Sequence, residues 1–285
     1  MENHAVKQKI LIVGCGDLGG EVATLLSRNG HEVIGFSRSA KPIQDVSMLQ
    51  GDVTNPKSLL PLITIKPTIV IYCVAANGQT DAQYKAHYVD GLSNILATQR
   101  NNEVLKHVFF VSSTRVYGQK TDELLDESRP AIASDFGGER LLESERLLNT
   151  LTCNSTVLRL SGIYGQGRLR MIGLASQPNN WPPDNSWTNR IHRDDAARFI
   201  VHLIQMLTNN QSIATCYIVT DEKPTQQYEV LHWIAKKLAI PFDAKIPNVS
   251  GGKRLSNQLM LSTNFKLQFP NYQSGYLSLI EKLTT

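Results

Sequence analysis

Lys9-Ile10-Leu11-Ile12-Val13-Gly14-Cys15-Gly16-Asp17-Leu18-Gly19-Gly20 is a buried-strand run that feeds straight into GxGxxG and then into a helical pattern. Each glycine has a distinct physical task in such a unit. Gly14 permits the tight turn, Gly16 lets a diphosphate approach the main chain, and Gly19 lets the helix pack closely on the strand. The helix opening at Asp17 and Leu18 aims its N–H groups and positive dipole end at the phosphates. A glycine-rich turn alone carries little weight. A strand before it and a helix after it are the context that marks a dinucleotide site.

Working outward, apolar strand candidates at 9–13, 32–36, 46–49, 68–74, 107–112 and 156–160 alternate with helical patterns. That alternation is the signature of an α/β fold, a Rossmann-type doubly wound parallel sheet covered by helices. Val22, Leu25 and Leu26 fall at helical spacing before the stop signal Asn29-Gly30. Tyr84, Tyr88, Leu92, Ile95 and Leu96 mark one face of a long helix over 84–100, with the aromatics assigned to the core. Beyond Gly162 the alternation weakens. Residues 177–185 read as a turn-rich loop, a ligand lid or a plain surface connection rather than a packed element. Residues 226–238 read as a helix with Tyr228, Leu231, Ile234, Ala235 and Leu238 on one face. The expected organisation is a dinucleotide-binding domain over 1–163 and a smaller substrate-binding portion over 164–285, interleaved with returning Rossmann elements near 191–220.

A chain of 285 residues suits one large domain or two interleaved ones. The net charge of +4 is not gathered into a Lys/Arg stripe, so an anionic small molecule explains it and nucleic acid is not expected as a partner. Cys15, Cys73, Cys153 and Cys216 are widely spaced, which suits a reducing compartment. Residues 1–9 hold no apolar signal core and no apolar stretch reaches spanning length, so the reading is a soluble cytoplasmic protein without a membrane partner. No metal is expected, because His192 with Asp194 and Asp195 offers too few converging ligands. A hydrolase built on Ser113 and His192 is disfavoured by the absence of a GxSxG elbow.

Several further blocks follow in order: Gly51-Asp52-Val53-Thr54, Val74-Ala75-Ala76-Asn77, Phe109-Phe110-Val111-Ser112-Ser113-Thr114-Arg115-Val116-Tyr117-Gly118, Leu158-Arg159-Leu160 with Ile163-Tyr164-Gly165, and Arg190-Ile191-His192-Arg193-Asp194-Asp195. Together with the glycine turn they resemble the extended short-chain dehydrogenase/reductase superfamily, the NAD(P)-dependent nucleotide-sugar epimerases and dehydratases. The resemblance implies that Asp52 contacts the adenine, that Val74, Ala75 and Ala76 lie along the cofactor, and that Ser113 matches the catalytic serine or threonine. It also implies a small-molecule substrate, with a nucleotide-sugar as the family's usual one, and a homodimer through the helices at 84–100 and 136–149.

The cofactor's identity turns on the end of the second strand. A carboxylate there would bond the ribose hydroxyls of NAD, whereas an arginine accommodates the extra phosphate of NADP. Phe36-Ser37-Arg38 contains no acid, and Ser37 and Arg38 offer a hydroxyl and charge-assisted bonds to a 2′-phosphate. NADP is therefore favoured, with NAD as the alternative.

One departure is chemical. Where the family carries Tyr-x-x-x-Lys, this chain has Phe136-Gly137-Gly138-Glu139-Arg140. Phenylalanine cannot move a proton, and a lost general acid/base is worth about 10² to 10⁴ in rate. Arg140 keeps the charge and donors that would bond the nicotinamide ribose. Together with GxGxxG in place of the extended family's usual GxxGxxG, this block resembles an atypical branch of the superfamily. Tyr117 and Tyr164, both following strand ends, stand as replacement proton donors, and Asp135 and Glu139 are carboxyls whose burial would raise their pKa. Two readings compete. One is an epimerase, dehydratase or reductase that exchanges hydride with a sugar-like alcohol or ketone through Ser113, Arg140 and Tyr117. The other is a non-catalytic NADP(H)-binding redox sensor or assembly module.

Overall fold

The computed structural model describes residues 6–119, 121, 123–243 and 245–284. β1 (Lys9–Val13), β2 (Glu32–Ser37), β3 (Ser47–Gln50), β4 (Ile69–Tyr72) and β5 (His107–Ser113) join strands Asn154–Leu160 and Cys216–Val219 in one seven-stranded sheet. From one edge to the other the order is Cys216–Val219, Asn154–Leu160, β5, β4, β1, β2, β3, the doubly wound parallel arrangement expected from the sequence. Ile10 through Val13 and Val70 through Tyr72 have no solvent exposure, as continuous apolar runs in a sheet covered on both faces should. Val13 is in register with Phe36 on one side and Tyr72 on the other, so β1, β2 and β4 end level with one another. The strand order reverses between β1 and β4. That is the topological switch point at which open α/β sheets seat their ligands.

α1 (Asp17–Arg28) buries Leu18, Val22, Ala23 and Leu26 and stops before Asn29-Gly30. The long helix expected over 84–100 begins earlier and is not uniform. It consists of α2 (Asp81–Tyr84), a wide π-turn over Lys85–Asp90, and α3 (Gly91–Thr98). Local chemistry accounts for both differences. The Thr80 side chain accepts from the N–H of Gln83 and starts the helix, and the Tyr72 hydroxyl donates to the His87 carbonyl inside the wide turn. Gly91 lets this turn approach the sheet, since a Cβ there would lie 2.5 Å from the Tyr72 hydroxyl oxygen. α4 (Phe136–Leu147) starts on the Asp135 side chain.

The chain divides into two compact units. The first takes residues up to Gly118, Ala131–Arg159 and Ala197–Tyr217; the second takes Gln119–Pro130, Leu160–Ala196 and the chain from Ile218 onward. Residues 119–130, which the sequence reading assigned to the dinucleotide domain, thus belong to the second unit. The core of that unit buries the aromatic residues Tyr164, Trp181, Tyr228, Tyr272 and Tyr276 among aliphatic side chains such as Leu231 and Ile234. Trp181 corrects the reading of 177–185 as an unpacked loop. Its indole N–H donates to Leu174 O at 3.0 Å, and the Tyr228 hydroxyl donates to Pro182 O at 2.6 Å. A loop pinned by a buried indole is a poor lid.

Among the described residues no helix is long and apolar enough to cross a membrane. None of their exposed large hydrophobic side chains falls within 84–100 or 136–149. The apolar support sought there for a dimer face is therefore missing.

Candidate functional site

The glycine turn has the shape its sequence demands. Gly14 adopts φ +90°, where a side chain is strained, and a Cβ there would lie 2.6 Å from the Cys73 carbonyl carbon at the end of β4. Its N–H donates to Phe36 O at 2.9 Å, which ties the turn to β2. A Cβ on Gly19 would strike the Gly14 carbonyl oxygen, so only glycine lets α1 come this close. Gly16 differs, because nothing lies within 4 Å of where its Cβ would stand. It is also the N-cap of α1 and supplies no side-chain acceptor. Open space beside a helix N-terminus, next to the switch point, is the room a diphosphate needs. Asp17 occupies the first turn and Leu18 is packed into the core, so their main-chain N–H groups are what these residues offer a phosphate.

At the end of β2, Ser37 accepts the N–H of Ala40 at 3.1 Å, and Arg38 is exposed. Arg38 Nη1 donates to Asn77 Oδ1 at 2.5 Å, which clasps the β2 end to the loop holding Val74, Ala75 and Ala76. Asp52 lies nearby. Burial pushes its carboxyl pKa up, but bonds from the Thr54 N–H and hydroxyl and the charges of Arg38 and His87 bring it below its ordinary value.

At the end of β5 the two serines part ways. Ser113 caps the short turn Thr114–Val116 by accepting the N–H of Arg115 at 3.2 Å. Ser112 is buried and donates to Glu145 Oε1 at 2.7 Å. Glu145 in turn pairs with Arg159 at 2.7 Å, and Arg159 Nη1 donates to the Tyr117 hydroxyl at 2.6 Å. Tyr117 is completely enclosed. The expectation of a catalytic Tyr117 meets a phenol with no surface and a hydroxyl held in the network Ser112–Glu145–Arg159. Tyr164 fares no better within its own unit. Its ring lies tilted 4.5 Å from Tyr276 and meets His192 edge to face at 5.2 Å, and burial pushes its phenol pKa far up.

The start of α4 holds what the sequence reading missed. Arg115 reaches over the helix end, with Nε 2.9 and 3.0 Å from the Asp135 carboxylate oxygens and Nη1 2.9 Å from Gln79 Oε1 and 2.7 Å from the Tyr84 hydroxyl. Its guanidinium carbon lies 5.0 Å from the Tyr84 ring centre and 5.1 Å from that of Phe136. Those rings meet edge to face at 5.5 Å. The glycine pair after Phe136 was the available signal. Two glycines in the first turn of a helix cost about 1 kcal/mol each relative to alanine, so a close neighbour must require them. Arg115 is that neighbour. A Cβ on Gly137 would lie 2.7 Å from its Nη1, and one on Gly138 would lie 2.8 Å from its carbonyl oxygen.

Arg140 is not idle either. Its Nε and Nη2 donate to Asp81 at 2.7 and 2.9 Å, and its Nη1 donates to Glu143 at 2.7 Å. Asp135, considered as a carboxyl raised by burial, goes the other way. Burial does push its pKa up, but the Gly138 N–H and Arg115 outweigh it and hold the carboxylate below its ordinary value. Glu139 is exposed. In the second unit, Asp195 accepts the N–H groups of Gln268 and Phe269 at 2.8 Å each, so the block around His192 anchors the C-terminal segment. Among the described residues no cluster of His, Cys, Asp and Glu is arranged to hold a metal ion.

The comparisons with known proteins agree with this geometry. Residues 10–214 match the model of the NAD dependent epimerase/dehydratase family. No curated protein sequence matches the chain. Among solved structures, a provisionally named NAD-dependent epimerase/dehydratase from Methylobacillus flagellatus is 47% identical, with a TM-score of 0.89 and alignment over 98% of this chain and 99% of that one. The Bordetella bronchiseptica enzyme WbmG, in complex with NAD and UDP, superposes at a TM-score of 0.79 with 18% identity, over 97% of this chain and 96% of that one. A UDP-glucose 4-epimerase from Thermotoga maritima, with UDP-glucose, superposes at 0.80 with 14% identity, over 97% and 99% of the two chains. The last two share the fold.

Proposed function

Because the chain belongs to the NAD-dependent epimerase/dehydratase family, we propose that it binds a nicotinamide dinucleotide at the ends of β1, β2 and β4 and exchanges hydride with an alcohol or ketone of a sugar-like substrate. The observation that carries this reading is the glycine turn, with its open space at Gly16 and its closed contacts at Gly14 and Gly19. When bound, the dinucleotide supplies the hydride donor or acceptor. The chain's own residues do the rest. The turn and the first N–H groups of α1 hold the diphosphate, Asp52 meets the adenine, and Val74, Ala75 and Ala76 flank the cofactor. Ser37 and Arg38 take a 2′-phosphate, so NADP is the proposed form. Ser113 bonds the reacting oxygen. Arg140 has five N–H groups, of which Asp81 and Glu143 take three, so two remain for the nicotinamide ribose. The second unit is the substrate-binding portion. A nucleotide-linked sugar is the proposed substrate, in keeping with the UDP and UDP-glucose of the structures that share the fold.

Phe136 favours a second reading, a dinucleotide-binding module without turnover. The test is to add UDP-glucose, UDP-galactose or dTDP-glucose to the dinucleotide-loaded chain and follow reduced nicotinamide by absorbance and epimerised or dehydrated sugar by chromatography. Product formation supports the enzyme; binding of the dinucleotide without product from any of them supports the module.

A further inference from the structure

We propose that Tyr84, bonded by Arg115, is the proton-transferring phenol of this chain, in the role that Phe136 cannot fill. The inference rests on the hydride-exchange reading above.

Three observations meet at this hydroxyl. It receives an N–H from a guanidinium at 2.7 Å, which fixes the position of the phenol oxygen. Arg115 is itself fixed by Asp135, in space that Gly137 leaves open by having no Cβ. The Tyr84 ring packs edge to face on Phe136, so the phenol borders the very side chain whose hydroxyl is missing. Arg115 also stands two residues beyond Ser113, whose Oγ accepts its main-chain N–H.

The hydroxyl hydrogen has a resting acceptor. The Tyr84 hydroxyl donates to Gln79 Oε1 at 3.1 Å, and that oxygen also accepts from Arg115 at 2.9 Å. When the phenol turns its O–H to a substrate, Gln79 keeps a partner. In the oxidative direction the Tyr84 phenolate takes the proton of a substrate hydroxyl while the carbon of that hydroxyl gives up hydride and becomes a carbonyl. The oxidant is the nicotinamide dinucleotide of the family's reaction. On return of hydride the carbonyl oxygen recovers the proton from Tyr84.

The competing groups are otherwise engaged. Tyr117 is enclosed against Arg159, Asp135 is held as a carboxylate, and Glu139 is exposed on the helix surface. Tyr88, packed 5.2 Å from Tyr84, takes a main-chain bond from Ala76, and burial leads the causes that push its phenol up to about 12.

The test uses the full chain labelled with 3-fluorotyrosine, with the Tyr84 signal identified by its loss in Tyr84→Phe. On addition of NADP+ or NAD+ that signal should shift. Turnover of the sugar nucleotide that the parent accepts should fall about 10² to 10⁴-fold in Tyr84→Phe while dinucleotide affinity, measured by calorimetry, stays within about twofold. A Tyr84 signal indifferent to a dinucleotide that calorimetry shows to be bound, or a Tyr84→Phe chain that keeps the parent rate, overturns the assignment. A parent that binds no dinucleotide overturns the underlying reading instead.

Discussion

Arg115 and Gly137 occupy adjoining space that admits no side chain between them: a Cβ on Gly137 would lie 2.5 Å from Nε and 2.7 Å from Nη1 of the arginine. The glycine thus exists for the arginine. Gly137→Ala should displace the guanidinium from Asp135 and Tyr84 and cost about 1–3 kcal/mol, the usual range for overpacking. In a chain of this size each kcal/mol lowers the melting temperature by about 2–4 °C. Gly173→Ala is the control. That glycine is helical with nothing within 4 Å of its Cβ position, so alanine should be neutral or stabilising by up to about 1 kcal/mol. Adding Arg115→Ala to Gly137→Ala should recover part of the loss, because the neighbour that forbids the Cβ is then gone. Equal melting temperatures for Gly137→Ala and Gly173→Ala would show that Arg115 moves aside freely.

The pair Arg38–Asn77 bears on cofactor choice. A guanidinium already oriented at 2.5 Å from Asn77 Oδ1 is placed at the β2 end without first having to be ordered by a ligand. Fluorescence titration should show tighter binding of NADPH than of NADH. Arg38→Ala should erase about 1.5–3 kcal/mol of that preference, the range for hydrogen bonds to a charged group, and leave NADH affinity nearly unchanged. Equal affinities in the parent would overturn the choice of NADP.

Asp221 gives the second unit a pH signature. Burial raises its carboxyl to about 7 against the partial opposition of Arg190, while an unfolded aspartate titrates near 3.9. Between those values the folded chain holds a proton that the unfolded chain has released. The stability contribution of the neutral carboxyl is therefore complete below about pH 4, declines as the pH rises, and is lost above about 7. A carboxamide at this position cannot ionise, so the stability of Asp221→Asn relative to the parent should grow across that window, by on the order of a few kcal/mol, and then level off. His107, lowered by burial to about 4, has the opposite slope over part of the range, but it is common to both chains and cancels in the difference. Urea midpoints at pH 4.5, 6.0 and 7.5 decide the matter. A difference independent of pH would place the Asp221 carboxyl in its ordinary range.

What the sequence disclosed and what it withheld follow a physical division. The β1–turn–α1 unit was legible because its determinants are local. Apolar continuity, three glycines and a helical period all fall within one short stretch, and each glycine has the environment its position implied. The order of the blocks likewise carried the sheet and the family. Commitments between distant residues were not legible. Nothing near Tyr117 in sequence announces that Arg159 will take its hydroxyl, and nothing near Asp135 says that Arg115 will hold it ionised. Tyr84 has the apolar spacing of a core residue and is one, with a hydroxyl whose guanidinium donor lies 31 positions away. Trp181 sits in a stretch whose prolines and asparagines spell a surface loop, yet its own burial pins that loop. Only the glycine pair at 137 and 138 left a local trace of a distant contact.

The central claim is that the turn at Gly14–Gly19 grips a dinucleotide diphosphate, and isothermal titration calorimetry of the full chain with NADPH, NADP+, NADH and NAD+ tests it most directly. Gly16→Leu supplies the comparison, since nothing lies within 4 Å of where a Cβ would stand and a side chain there would fill the phosphate position. The account predicts saturable heat with at least one dinucleotide in the parent and its loss in a Gly16→Leu chain that circular dichroism shows to be folded. No heat with any of the four, or equal heat in parent and variant, would contradict it.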